Sequence, residues 1–160
     1  MDINNLKLVR IDFRLIHGQV MTRWVVKHNI KNIIVIDNNS ASNPLLKKIL
    51  VKSAPSGIDV HVYTIEEASQ RWDEKSMPNE NILILFKNTS DALEAWRKGI
   101  HYPAIQIGSI EGGGNKKNIY KNIVMTPSEI DEMKYLHEQG VQVYLQPIPE
   151  DRALNLLDAI

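Results

Sequence analysis

The segment that decides the fold spans residues 6–27 and reads LKLVRIDFRLIHGQVMTRWVVK. It begins with the mainly apolar run Leu6–Ile11, which is typical of a buried strand. A charged stretch follows, and then the pattern Val20–Lys27, in which Val20 and Trp24 are four residues apart, as on one face of a helix. The segment therefore predicts a strand, a polar loop and a helix in succession.

The same alternation continues along the rest of the chain. Short apolar runs recur, several of them rich in Ile and Val with little alternation, as in strands buried on both faces. The runs are Leu6–Ile11, Asn32–Ile36, Ile58–Val62, Asn81–Phe86, Ala104–Ile107, Ile119–Val124 and Val141–Leu145. This pattern predicts a three-layer α/β fold, with a mostly parallel central sheet of about seven strands and helices on both faces.

Capping residues indicate where the later helices begin. Thr64 with Glu67 three residues on forms a capping box. The other predicted starts are Asn43-Pro44, Thr89/Ser90, Thr126–Glu129 and a last short helix near Pro149.

Composition excludes several classes of function. The 160 residues suit one domain, which we expect to span residues 1–160. Lys+Arg and Asp+Glu both number 19, so the net charge is zero, which argues against non-specific electrostatic binding to nucleic acid or anionic lipid. The chain has no cysteine, so disulfides, thiolate metal sites and cysteine nucleophiles are excluded. We expect no signal peptide and no membrane span, so any action at a membrane requires a partner.

Polar residues follow the predicted strands at the edge where parallel sheets bind ligands. They are Asp12, Arg14, His17, Asp37, Lys87 and Ser109. The other histidines match no common metal motif, and the Gly112–Gly114 run lacks the spacing of a phosphate loop. We therefore expect neither a metal nor a cofactor.

His17 is the strongest candidate for a reactive residue at this edge of the sheet, which we call the rim. It lies between a strand end and a helix start, where free main-chain amides favour an anion. Gly18 allows close backbone approach, and Arg14 can bind a phosphate bidentately. A neutral imidazole is a competent nucleophile near neutral pH, and a phosphohistidine would divide one transfer into two.

Structural roles for the same residues stay open at this point. A lone loop histidine is often solvated or bonded only for structure. Arg10 has the alternative of an ion pair with Asp12 or Asp37. Asp12 has the alternative of capping a turn, and Lys87 that of a solvated strand end.

The stretch Val9–Val20, with its contiguous Arg-Leu-Ile-His-Gly-Gln-Val, resembles the IIB component of the mannose/fructose/sorbose class of the bacterial sugar phosphotransferase system. Further similarities are Ile34-Val35-Ile36-Asp37-Asn38, Leu85-Phe86-Lys87-Asn88 and Ile105-Gln106-Ile107-Gly108. The resemblance extends over nearly the whole chain. It implies an α/β, largely parallel fold and a cytoplasmic protein recruited to the inner face of the cell membrane by its partners.

The resemblance also implies specific roles. His17 would accept phosphoryl at Nδ1 from the phosphohistidine of a IIA partner and donate it to a sugar carried by membrane IIC and IID subunits. Arg14 would hold the phosphoryl group, and Asp12 would orient the loop or His17. We combine these implied roles with the polar residues at the strand ends. The predicted phosphate-binding residues are then Arg10, Arg14, Gly18, Gln19, Lys87 and Ser109, and Asp37 is predicted to support the site. The sugar is not specified, and a homodimer is one of the oligomeric states that the sequence allows.

One position departs from the family pattern. Phe13 stands where the family usually carries Asp or Asn, so partner docking is the property most affected. We take Phe13 and Met21 as candidate docking residues. An alternative is a regulatory or protein-binding domain of the same fold that transfers nothing to sugar. A receiver-like domain phosphorylated on aspartate ranks lower, because the third apolar run ends in Val60-His61-Val62-Tyr63-Thr64, with no aspartate where such a fold needs one.

Overall fold

A mostly parallel sheet runs through the middle of the computed structural model, which describes residues 2–160 apart from the side chains of Gln19 and Val20. The strands are β1 (Leu6–Asp12), β2 (Asn32–Ile36), β3 (Asp59–Tyr63), β4 (Ile82–Phe86), β5 (Ala104–Ser109), β6 (Lys117–Tyr120), β7 (Ile123–Met125), β8 (Gln142–Leu145) and β9 (Leu154–Asn155). Over the described residues, the seven-stranded sheet has the order β3-β2-β4-β1-β5-β8-β9. Its pairs are parallel except β8–β9.

Helices cover both faces of the sheet, which confirms the predicted fold class. They are α1 (Gly18–Lys27), α2 (Asn38–Ser42), α3 (Pro44–Lys52), α4 (Ile65–Asp73), α5 (Thr89–Arg97), α6 (Pro127–Glu138) and α7 (Leu156–Ala159), after a 3-10 turn at Ile3–Asn5. One apolar core joins α1–α3 to the sheet, and a second joins α4–α7 to the opposite face. Among the described residues, no helix is both long and apolar enough to cross a bilayer.

The connections explain this division of the helices. From β1 to β2 to β3 the chain moves towards one edge, and from β3 to β4, β5 and β8 it moves towards the other. Because crossovers between parallel strands are almost always right-handed, a change of direction moves the connecting helices to the other face.

Local sequence determines most element boundaries. All five residues of β4 are buried, as its uninterrupted apolar run predicts. Thr64 and Thr126 each form a complete capping box, and Asn43 caps α3 just before Pro44. The first helix begins at Gly18, two residues before the Val20–Lys27 pattern, with His17 as its N-cap.

Two predictions near the C-terminus are wrong. The run 119–124 does not join the central sheet, because a turn with Lys121 at φ 54° splits it into the antiparallel hairpin β6–β7. The short β9 supplies the seventh strand instead. The last helix begins at Leu156 rather than near Pro149, because the intervening chain first pairs with β8.

Candidate functional site

The carboxyl end of β1 lies between the ends of β4 and β5. Ile11 pairs with Phe86 and Asp12 with Ser109, so Lys87 and Ser109 flank the point where β1 ends. The chain leaves β1 towards the face of α1, whereas it leaves β4 and β5 towards the opposite face. Such a divergence opens a crevice at the strand ends, where α/β proteins bind ligands.

Asp12 folds the segment that follows β1, and two apolar side chains anchor it. The amide of Arg14 donates to Asp12 Oδ1 at 3.1 Å, and the amide of Leu15 donates to the Asp12 carbonyl at 2.9 Å. Leu15 has φ 57°, a conformation that costs a non-glycine residue on the order of 1 kcal/mol. Burial of Leu15 and Ile16 offsets that cost and fixes the position from which His17 extends.

The His17 ring rests on the Asp12 carboxylate. His17 Nε2 lies 2.9 Å from Asp12 Oδ2, and the His17 side chain is 17% exposed while that of Asp12 is 0% exposed. The carboxylate also receives the Arg10 guanidinium and the Arg14 amide, both of which can only donate. Asp12 therefore acts as the acceptor and His17 Nε2 carries the proton. This leaves the lone pair of the neutral ring on Nδ1.

Groups suited to an anion lie on either side of His17. Arg14, three residues before it, is exposed, and its guanidinium carbon is 5.7 Å from the centre of the Phe13 ring. Gly18, with φ 47°, is the first residue of α1, whose first amides lack carbonyl partners within the helix. The predicted contact of the Gln19 side chain lies outside the described residues, although its backbone belongs to α1.

Arg10 does not lie where it could bind a phosphoryl group, so that prediction is wrong. Its side chain is 1% exposed, and it donates to the carbonyls of Gln146 and Pro147 at 3.0 and 2.8 Å. It also pairs with Asp12 at 3.3 Å, the structural alternative noted from the sequence. Burial lowers the pKa of Arg10, while the Asp12 charge opposes that shift. The Arg10 guanidinium therefore lies in the interior beneath the His17 loop, where it supports Asp12.

Gln106 and Gln146 also lie below the site, and sequence reasoning missed both. Gln106 accepts from Arg10 Nη1 at 2.5 Å and donates to Gln146 Oε1 at 3.2 Å. A signal was present in Ile105-Gln106-Ile107, because a polar residue inside a strand buried on both faces needs a partner.

Met21 and Asp37 are two further residues that the sequence singled out. Met21 is 1% exposed and packs in the core under α1, so it cannot contact a docked protein in this conformation. Asp37 caps α2 by accepting from the Ser40 amide at 3.1 Å and the Ser40 hydroxyl at 2.5 Å. Phe13 is half-buried at the loop and stays a candidate docking residue.

Comparison with known proteins gives consistent matches over the chain. Residues 6–160 match the family model described as the PTS system sorbose subfamily IIB component. The sorbose-specific EIIB component of Klebsiella pneumoniae is 31% identical over 155 residues, which are 97% of this chain and 94% of that protein. The mannose-specific EIIAB component of Escherichia coli (strain K12) is 28% identical over 153 residues, 96% of this chain but 47% of that protein.

The fold comparison agrees with these matches. The crystal structure of the IIBSor domain of the sorbose permease from Klebsiella pneumoniae superposes with a TM-score of 0.88 at 30% identity. The superposition covers 96% of this chain and 94% of that one.

Proposed function

Because this chain belongs to the sorbose-subfamily IIB components of the phosphotransferase system, we propose that His17 accepts a phosphoryl group from the phosphohistidine of a IIA partner and passes it to a sugar. Phosphoryl transfer in a sugar phosphotransferase system follows from the family itself. The proposal adds Nδ1 of His17 as the carrier atom and membrane IIC and IID subunits as the holders of the sugar. It also places the protein, as one domain over residues 1–160, on the cytoplasmic side of the membrane.

One observation carries the proposal: His17 Nε2 lies 2.9 Å from Asp12 Oδ2, so a carboxylate acceptor there keeps the proton of the neutral ring on Nε2 and leaves Nδ1 for phosphorus. In the first step the Nδ1 lone pair forms a bond to phosphorus, and the nitrogen–phosphorus bond to the partner's histidine breaks with its electron pair. In the second step a sugar hydroxyl oxygen attacks phosphorus, the Nδ1–phosphorus bond breaks with its electron pair returning to Nδ1, and the hydroxyl proton passes to water. Asp12 stabilises the ring while it carries positive charge.

The surrounding groups support charge stabilisation on the phosphoryl oxygens. Arg14, in the same loop, has a guanidinium that can donate two parallel hydrogen bonds to phosphoryl oxygens. The amides of Gly18 and of the start of α1 are further donors to the same oxygens. We assign Lys87 and Ser109 to the outer part of this site from their places at the ends of β4 and β5. Alignment and neutralised oxygen charge are the main requirements of phosphoryl transfer.

The exposure of Arg14 and Gly18 on either side of His17 supports a protein as the phosphoryl donor. Clefts of about 440 and 400 Å³ are lined by residues of α6, β8 and α7 and by residues of α3, β3 and α4. Neither cleft contains a residue of the His17 loop. A half-buried ring on an open rim can meet a second histidine, and the half-buried Phe13 lies beside it as a docking contact. The fused EIIAB relative is consistent with a IIA partner.

The first experiment is transfer of labelled phosphoryl from a purified, phosphorylated IIA protein, followed by peptide mapping. We expect acid-labile, alkali-stable label on His17 and none in His17→Ala. His137→Ala is the matched control, because His137 is exposed on α6 and outside the site. Equal labelling of His17→Ala and the unmodified chain would refute the assignment.

A second experiment separates the carrier from a regulatory domain of the same fold. The labelled chain is mixed with vesicles that contain the cognate IIC and IID subunits and a sugar. A carrier loses its label to the sugar, whereas a regulatory domain keeps the label and yields no sugar phosphate.

A further inference from the structure

Two glutamines lie beneath the His17 loop in a buried chain of hydrogen bonds. Gln106 on β5 is 0% exposed, and Gln146, just after β8, is 8% exposed. Arg10 Nη1 donates to Gln106 Oε1 at 2.5 Å, and Gln106 Nε2 donates to Gln146 Oε1 at 3.2 Å. Gln146 Nε2 then donates to the carbonyl of Asp151 at 2.9 Å. The chain of bonds connects three separate segments below the site.

Donor chemistry fixes the direction of this chain. A guanidinium can only donate, so Gln106 must turn its amide oxygen towards Arg10 and its NH₂ group towards Gln146. Gln146 must then accept on its oxygen and donate from its NH₂ group to the Asp151 carbonyl, which can only accept. Each amide therefore has one orientation that satisfies all of its partners. With both amide orientations set, this buried network restricts the motion of Arg10 Nη1, although Arg10 Nε has no hydrogen-bond partner among the described residues.

Gln106 is one of four acceptors that limit the rotation of the Arg10 guanidinium within its own plane. The plane of the guanidinium is set by the Trp24 ring, whose centre is 5.2 Å away, and by Gly108, where a Cβ atom would overlap the guanidinium. Rotation within that plane is set by the acceptors of Arg10. Two of these acceptors are side chains, namely Gln106 and Asp12.

We propose that Gln106, supported by Gln146, is a positioning residue for the phosphoryl carrier, an inference that rests on the proposed function. By fixing Arg10 it fixes Asp12 Oδ2, which lies 3.3 Å from Arg10 Nη2 and 2.9 Å from His17 Nε2. The ring then keeps its proton on Nε2, and Nδ1 stays available to phosphorus. Gln106 touches neither the phosphoryl group nor the ring, and acts only through Arg10 and Asp12.

The test replaces Gln106 and Gln146 singly by methionine, which has a similar length and no amide. The first readout is the ¹⁵N chemical shift of the neutral His17 ring in the full chain, which reports which nitrogen carries the proton and needs no partner. The second is the initial rate of phosphoryl acceptance from a phosphorylated IIA protein. In Gln106→Met we expect a mixed tautomer population and a rate reduced about tenfold. In Gln146→Met we expect a smaller loss of about threefold, because Arg10 still has the Gln106 oxygen.

Thr89→Val is the control for general loss of stability. Thr89 is 1% exposed and its hydroxyl donates to Glu132 at 3.1 Å, outside the Arg10 network. This variant should keep the Nε2 proton and the original rate. If Gln106→Met does not fold, Gln146→Met carries the test. A retained Nε2–H tautomer and an unchanged rate in the folded glutamine variants would overturn the proposal. Absence of label on His17 in the unmodified chain would refute the carrier function instead, while the tautomer measurement still tests the positioning.

Discussion

Replacing Asp12 by Asn removes the charge beneath the His17 ring and keeps the size of the side chain. The lost hydrogen bond joins the Asp12 carboxylate to His17 Nε2 at 2.9 Å. A hydrogen bond to a charged group is worth about 1.5–3 kcal/mol, and about 1.4 kcal/mol corresponds to a factor of ten. We therefore expect Asp12→Asn to accept phosphoryl about 10- to 100-fold more slowly.

The same substitution also leaves Arg10 buried without its counter-charge. Removing one partner of a buried ion pair costs about 3–5 kcal/mol. Arg10 keeps three neutral acceptors, Gln106 Oε1 and the carbonyls of Gln146 and Pro147, so the lower end of about 3 kcal/mol applies. For a chain of this size, that loss lowers the melting temperature by about 6–12 °C.

The assay pairs the rate of phosphoryl acceptance with thermal unfolding at one pH. Glu66→Gln is the control, because it removes an exposed ion pair with Lys98 at 3.2 Å that should contribute little to stability. An Asp12→Asn variant that melts and accepts phosphoryl like the unmodified chain would contradict the reasoning. A lowered melting temperature with an unchanged rate would show that the carboxylate is purely structural.

Three further predictions concern Arg10, the loop and a buried tyrosine. A Cβ on Gly108 would overlap the guanidinium of Arg10, so Gly108→Ala should lose about 1–3 kcal/mol in urea unfolding, whereas Gly112→Ala, with open space around it, should not. Arg14→Gln should slow phosphoryl acceptance about tenfold with an unchanged melting temperature, because Arg14 is exposed. Burial raises the pKa of Tyr102, so folding stability should fall as the pH rises above about 10, where the unfolded tyrosine loses its proton, and Tyr102→Phe should flatten that fall.

The sequence predicted the elements that depend on local pattern. Continuous Ile and Val runs such as 82–86 are buried on both faces, and caps such as Thr64 open the expected helices. The placement of Asp12 and Ser109 at one rim followed from parallel strands alone. These features were predictable because the pattern of apolar residues along a strand and the capping of a helix both depend on residues close together in the chain.

The errors at Arg10 and Met21 concern contacts between distant parts of the chain, whereas the error at 119–124 is local. Whether Arg10 faces solvent or core depends on the carbonyls of Gln146 and Pro147, more than a hundred positions away. The prediction of Met21 as a docking residue is wrong because α1 buries Met21 together with Trp24. The run 119–124 has the composition of a central strand, but a turn inside it makes a hairpin.

Reactive groups and supporting groups therefore come from different parts of the chain. The ring, the carboxylate and the exposed guanidinium belong to the contiguous segment 12–18, which the sequence reveals as a motif. Arg10, just before this segment, pairs with the carboxylate, and Arg10 in turn is held by Gln106 on β5 and by the Gln146 carbonyl after β8. Under the proposed function, Asp12 must stay oriented while the ring gains and loses a phosphoryl group, so the motif depends on this distant support. A chain that keeps the motif but loses these glutamines would keep the reactive histidine with a poorly defined tautomer.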